Sequence, residues 1–429
     1  MRLDEYVDGL DREESVEMRK LAEEKSYAII DHIESARTRF DETLTDGAVV
    51  GSTAPSVFVG RSSYPNVSTG LLTPVGDEDD AGSYVTSGEW YRQGFSIEDV
   101  FAKRTGLLNS TRRSSVDVED VWDGFVGTQR EVAMADRPVD VELGLEESPG
   151  FDLDGTLEDI TAPRGPRAST EAARLTENPH VPRAVERTLS DDDWRAEGAI
   201  TYLYRRGFDV YEINNVLSVG ALGVGENRRL VPTRWSITAV DDTVGQYLRG
   251  RIRNAPTVGE TKVWHNRYLG NDYWIIAAPG DWEFELLELK APGSIWNPDP
   301  DGQLYMAADR EGYEGRTEYV DETAGAYYAA RLGVLEELAD RGRQAKVFVV
   351  RHATDGYWAP VGVWQTRESV RNAFDADPAV AETFHDAVQQ LVPQLPISMA
   401  DLRRKSTMAA GVQADLSSFG AAPGSSRSG

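Results

Sequence analysis

Three sets of residues in this chain have types and spacings suited to chemistry. The first is acidic: Glu288 and Lys290 end the run Trp282–Lys290, with Asp272 and Asp281 upstream. An upstream acid followed by Glu-x-Lys is how metal-dependent nucleases hold a divalent ion between two carboxylates while the lysine steadies developing charge. An amphipathic strand accounts for the same letters. The second set is cationic. Asn227, Arg228, Arg229, Thr233, Arg234, Trp235, Ser236 and Thr238 crowd together, and Arg249, Arg251 and Arg253 follow. Arginine forks match phosphate oxygens, and a tryptophan beside them offers a stacking surface for a base. Equally, these arginines could form an internal hub with acids such as Asp241 and Asp242. Around Arg61, the loop 60–65 has glycine, serines and backbone N–H groups suited to an anion. It lacks the lysine and spacing of a P-loop, and a tight turn between strands explains it as well.

The third set is Gln413, Leu416 and Phe419. Residues three apart stack on one side of a tight helical turn, so Leu416 and Phe419 form one apolar plug and Gln413 supplies an amide that donates and accepts. Gln-x-x-Leu-x-x-Phe is the pattern by which short tails dock on the DNA polymerase sliding clamp, PCNA, folding as they bind. Gly420 stands where stronger versions carry a second aromatic. Burying one Leu and one Phe yields about 3–6 kcal/mol before ordering costs, so a micromolar or weaker tail is expected, helped by several identical pockets in one ring. The alternative is a frayed end whose Leu and Phe merely touch the body.

Other chemistries find no support. The five histidines are scattered without metal-ligand spacing, so no metal site is assigned. There is no cysteine, which excludes disulfides and thiolate metal sites. No Gly-x-Ser-x-Gly elbow, helix-turn-helix or zinc finger is evident. No cofactor is implied, a divalent metal entering only with the nuclease reading. No run approaches the roughly 18–20 apolar residues of a membrane span, and the opening residues lack an apolar signal segment, so a cytoplasmic protein with no membrane partner is expected. The formal charge is −27, and because lysine occurs only seven times, 38 of the 45 basic residues are arginine. Acid-rich, lysine-poor surfaces stay hydrated in molar salt, where the Debye length shrinks to about 3 Å. The composition therefore fits a high-salt cytoplasm.

The elements that must position these residues are mixed. Asp11 to Phe40 reads as a helix opened by an Asp11/Glu14 capping box, and Ser96 opens another in the same way. Helical text covers 116–134, 170–205 and 321–341, with two short helices over 366–392. Strand text covers 138–143, 235–240, 262–268, 273–278, 282–289, 346–351 and 357–364. Helices and strands do not alternate regularly, so the expected class is α+β, mixed sheets flanked by helices. The expected organisation is an N-terminal region over 1–150, a second region over 151–400 after a Pro- and Gly-rich connector, and a flexible tail over 401–429.

Four segments together are similar to one family. Residues 60–67, 225–242 and 326–331 and the tail 413–419 resemble the archaeal Nre DNA-repair family, and the similarity runs along nearly the whole chain. It implies a role in the repair of DNA damage and PCNA binding through Gln413, Leu416 and Phe419. It implies no known catalytic reaction. Many members also carry an N-terminal cysteine cluster that looks like a zinc ribbon, which a cysteine-free chain cannot form. The leading expectation is a repair factor recruited to the clamp, contacting DNA through Arg61, Arg228, Arg229, Arg234 and Trp235. The rival is a DNA-processing nuclease using Asp272 or Asp281 with Glu288 and Lys290.

Overall fold

A computed structural model describes residues 48–74, 78–118, 121–146 and 164–411, except 192, 298 and 300, together with helical Glu34 and Thr38. The expected helix over 11–40 is otherwise outside the described residues, as is the tail motif at 413–419. Two six-stranded mixed sheets are flanked by helices, an α+β arrangement.

The first sheet has the order β1-β5-β6-β4-β3-β2. Its strands are β1 (Ala48–Thr53), β2 (Val57–Val59), β3 (Asn66–Pro74), β4 (Leu107–Ser115), β5 (Val139–Leu145) and β6 (Arg167–Leu175). β6 lies between β5 and β4, antiparallel to one and parallel to the other. The sheet thus draws strands from both sides of residue 150. β6 also corrects the helical expectation for 170–175. Its Ala, Glu, Arg and Leu are good helix formers, but strand preference is decided by the partners on either side. Residues 107–115 pair with β3, and the helix expected over 116–134 begins only at Gly124.

The second sheet runs β10-β9-β11-β8-β7-β12. It comprises β7 (Thr261–Tyr268), β8 (Asn271–Ala278), β9 (Glu283–Lys290), β10 (Tyr305–Glu311), β11 (Lys346–Ala353) and β12 (Ala379–Ala381). Both faces of its centre are covered, which is why β8 reads as a continuous apolar run over Tyr273–Ala278. Tyr273, Ile275, Phe284, Leu286, Val347 and Val349 join the large core that also takes in the first sheet. Trp274, Ile276, Leu287, Leu289, Phe348 and Val350 face the other way, onto a second core with the helices Phe384–Leu391 and Met399–Lys405.

Between the sheets lie the helices Thr233–Ile252, Gly325–Arg341 and Trp364–Ala373. The first overturns the strand expected at 235–240. Trp, Ile, Thr and Val favour strands locally, yet Ser236, Val240, Val244, Leu248 and Ile252 are all buried at four-residue spacing, one stripe of a helix. The strand expected at 357–364 is a loop. Pro360 and the positive φ of Gly362 break it, and the Trp364 indole donates to Val361 O at 2.7 Å. The helix expected from Asp321 starts at Gly325, because the N–H groups of Asp321, Glu322 and Thr323 fold around the Asp309 carboxylate instead. Ser96 caps Ile97–Thr105 with a full capping box, as its spacing with Asp99 requires.

Candidate nucleic-acid interface

A cleft of about 1700 Å³ opens between the two sheets. The first wall is built by β2, the turn into β3, β4 and the start of β6. The second is built by the starts of Thr233–Ile252 and Gly325–Arg341, the ends of β9 and β11, and the loop 357–364. One hydrogen bond staples the walls: the Val59 N–H donates to the Thr233 hydroxyl at 2.9 Å. It sets the turn carrying Arg61 against the helix start carrying Arg234 and Trp235. In that turn Ser63 is left-handed at φ 63°, and the Asn66 N–H donates to Ser63 O at 2.9 Å. The loop 60–65 is therefore a tight turn between strands that also faces the cleft.

Ten cationic side chains line this cleft against four carboxylates, in a chain whose net charge is −27. Three of the four acids are already engaged. Asp242 accepts from Arg331, Glu322 pairs with Lys405, and Glu288 pairs with Arg351 at 2.7 Å and Lys290 at 3.3 Å. Arg61, Arg113 and Arg234, by contrast, have no ion-pair partner among the described residues. Three of the ten cations are themselves committed, Arg351 and Lys290 to Glu288 and Arg367 to Asp241, so the charge open to a ligand rests first on Arg61, Arg113 and Arg234. Arg104 adds to it from the wall. Its Nη2 donates to Val361 O at 2.9 Å and its Nε has no partner. Burial pulls its pKa down to about 10, Tyr357 opposes this, and the neighbouring Arg164 reinforces it. It remains charged at neutral pH, and an arriving anion would relieve both stresses.

Arg61, Arg234, Trp235, Glu288 and Lys290 all line the cleft. Thr233 and Thr238 line it too, whereas Arg228, Arg229, Arg249, Arg253, Asp272 and Asp281 do not. Arg228 is buried, donating from Nε to Gly223 O at 3.0 Å and from Nη2 to Leu189 O at 2.5 Å. Arg229 pairs with Asp117. Arg249 and Arg253 bind Tyr313 O and Glu314 at the far end of the helix, about 22 and 28 Å from Arg234 at 1.5 Å per residue.

The acidic set is divided as well. β11 places Arg351 opposite both Tyr273 and Glu288, and His352 opposite both Asp272 and Leu289. Side chains alternate along a strand, so Asp272 projects from the opposite face of the sheet to Glu288, where it accepts from His265 at 2.9 Å. Asp281 precedes the other end of β9, about 23 Å away along the strand. No described cluster of three His, Cys, Asp or Glu side chains is arranged to hold a metal ion.

The family models for the N-terminal and C-terminal parts of archaeal Nre match residues 21–297 and 311–419. The chain belongs to the archaeal Nre family. Nre relatives include the DNA repair protein NreA of Haloferax volcanii, 63% identical over 98% of this chain and 100% of that protein. NreA and NreB of Archaeoglobus fulgidus, both named DNA repair proteins, are 35% and 32% identical over 81% and 84% of this chain and 85% and 88% of their own lengths. No solved structure matches the chain.

The cleft residues of this Nre protein that sequence reading missed are Arg104, Arg112, Arg113, Arg164, Arg167, Arg351 and Arg367. They are scattered over more than 260 positions, and only Arg112-Arg113 forms even a doublet. No spacing rule connects them.

Proposed function

We propose that this protein is a DNA-repair factor of a high-salt cytoplasm. It holds DNA in the cleft between its sheets and reaches the sliding clamp PCNA through Gln413, Leu416 and Phe419. The observation that carries the DNA reading is the inverted charge of the cleft, whose lining has ten cations, three of them already paired, and four acids in a strongly acidic chain. The names of the Nre relatives support the same reading. Phosphate contacts from arginine supply affinity without sequence choice, which suits a repair factor. A nuclease would need a second carboxylate beside Glu288. Neither Asp272 nor Asp281 is near it, and Glu288 already holds Arg351 and Lys290, so the cleft is read as a binding site.

The test is charge reversal of two exposed residues, Arg61→Glu with Arg234→Glu, followed by fluorescence anisotropy on labelled DNA and thermal unfolding. Affinity should fall at least tenfold while the unfolding midpoint stays within a degree or two. Unchanged affinity refutes the cleft as the DNA site.

A further inference from the structure

At the mouth of the cleft two large aromatic side chains stand exposed, Tyr64 at 49% and Trp235 at 47%. Their ring centroids are 5.8 Å apart and their planes are tilted by 49°. The two rings are tilted against each other rather than stacked, and each side chain keeps about half its surface exposed. Arg61 and Arg234 lie three residues and one residue away in sequence, with no ion-pair partner among the described residues. Deeper in, the helices Thr233–Ile252 and Gly325–Arg341 both begin at the cleft. Neither has a side-chain cap or an acidic residue in its first turn; the start of Thr233–Ile252 thus keeps its positive end, while the Asp309 carboxylate stands just ahead of the other. Arg367, fully buried in the same lining, spends Nε and Nη2 on Asp241 and keeps Nη1 without a partner.

We infer that the cleft takes single-stranded DNA, an unpaired base stacking on Trp235 and Tyr64 while its phosphates lie on Arg61, Arg234 and the start of Thr233–Ile252. This rests on the reading of the cleft as a DNA site and names which form of DNA enters it. Three arguments favour a single strand over a duplex. Bases inside a duplex already have both π-faces covered, so two exposed rings gain only from an unpaired base. A rigid duplex laid over the molecule would meet the acid-rich exterior, whereas a flexible strand threads into the basic cleft alone. Finally, the volume exceeds the roughly 300–1,000 Å³ of a single small-molecule site, leaving room for a chain segment.

The experiment compares a labelled 12-nucleotide single strand with a blunt hairpin duplex of the same sequence. Both are titrated by anisotropy into the full chain and its Trp235→Ala, Trp235→Phe and Tyr64→Ala forms, at two salt concentrations. The single strand should bind at least tenfold tighter than the duplex. Trp235→Ala should weaken it by about 5- to 100-fold, the range for losing one stacked base, and Trp235→Phe should restore most of that loss. Duplex binding that equals or exceeds single-strand binding, with Trp235→Ala without effect, overturns this inference and leaves the cleft as a duplex site. Failure of both DNAs to bind at either salt overturns the underlying DNA reading as well.

Discussion

Two adjacent arginines, Arg228 and Arg229, and a third five positions on, Arg234, meet three different fates. Arg228 is inside, its guanidinium satisfied by two backbone carbonyls; Arg229 is on the surface with Asp117; Arg234 faces the cleft unpaired. The sequence reading left an internal hub and a phosphate site as alternatives for the whole group, and geometry divides the group between them. Arg228→Ala orphans two carbonyls and removes packing, so it should destabilise the fold by about 1–3 kcal/mol, read from urea unfolding. Conversely, Arg234→Gln should leave unfolding unchanged and lower the slope of log affinity against log salt by about one. A destabilised Arg234→Gln protein would place that side chain in the hub instead.

Among the elements, the entry to the helix Gly325–Arg341 is governed by Asp309 on β10. Its carboxylate accepts from the N–H groups of Asp321, Glu322 and Thr323 at 3.1, 3.0 and 2.8 Å, and from the Thr323 hydroxyl at 2.7 Å. Burial disfavours its ionised form, but these hydrogen bonds outweigh burial and hold its pKa below the ordinary 3.8. A depressed carboxylate contributes stability that is complete above the unfolded-state pKa and disappears as pH falls through the lower folded value. Asp309→Asn should therefore be less stable than wild type at pH 7. The difference should shrink as pH drops below about 4, as followed by thermal unfolding across pH. A constant difference down to pH 2 would rule this out. On the neighbouring strand β9, one register step away and on the other face of the sheet, Glu285 plays the same part for the last described helix, Thr407–Ala410. It accepts from the N–H groups of Thr407 and Met408 at 3.0 and 2.7 Å.

Over the whole molecule, charge is sorted by place. A chain at −27 overall carries a cleft lined by ten cations, and at molar salt fields die within about 3 Å, so those cations would reach a ligand by contact rather than by steering. The helix Thr407–Ala410 is docked against β9, its Thr407 and Met408 N–H groups on Glu285. Deleting residues 413–420 should abolish pulldown by PCNA while thermal unfolding and DNA affinity stay as in the full chain. Retained pulldown would remove the clamp from the proposed function. No helix among the described residues is long and apolar enough to cross a membrane.

Local rules carried far here where their physical cause is local. Alternation and apolar runs placed β7, β8, β9 and β11, the Ser96–Asp99 spacing placed a capped helix, and residue counts alone set the acidic, arginine-rich balance. Tertiary structure decided what depends on partners distant in the chain. Residues 170–175 and 235–240 exchanged their expected strand and helix states because a neighbouring strand and a four-residue buried stripe outweighed propensity. Asp272 and Glu288, both strand acids, were parted onto opposite faces by the register with β11. The basic cleft is the extreme case: its cations run from Arg61 to Arg367, and only the packing of both sheets about the helices between them brings them together.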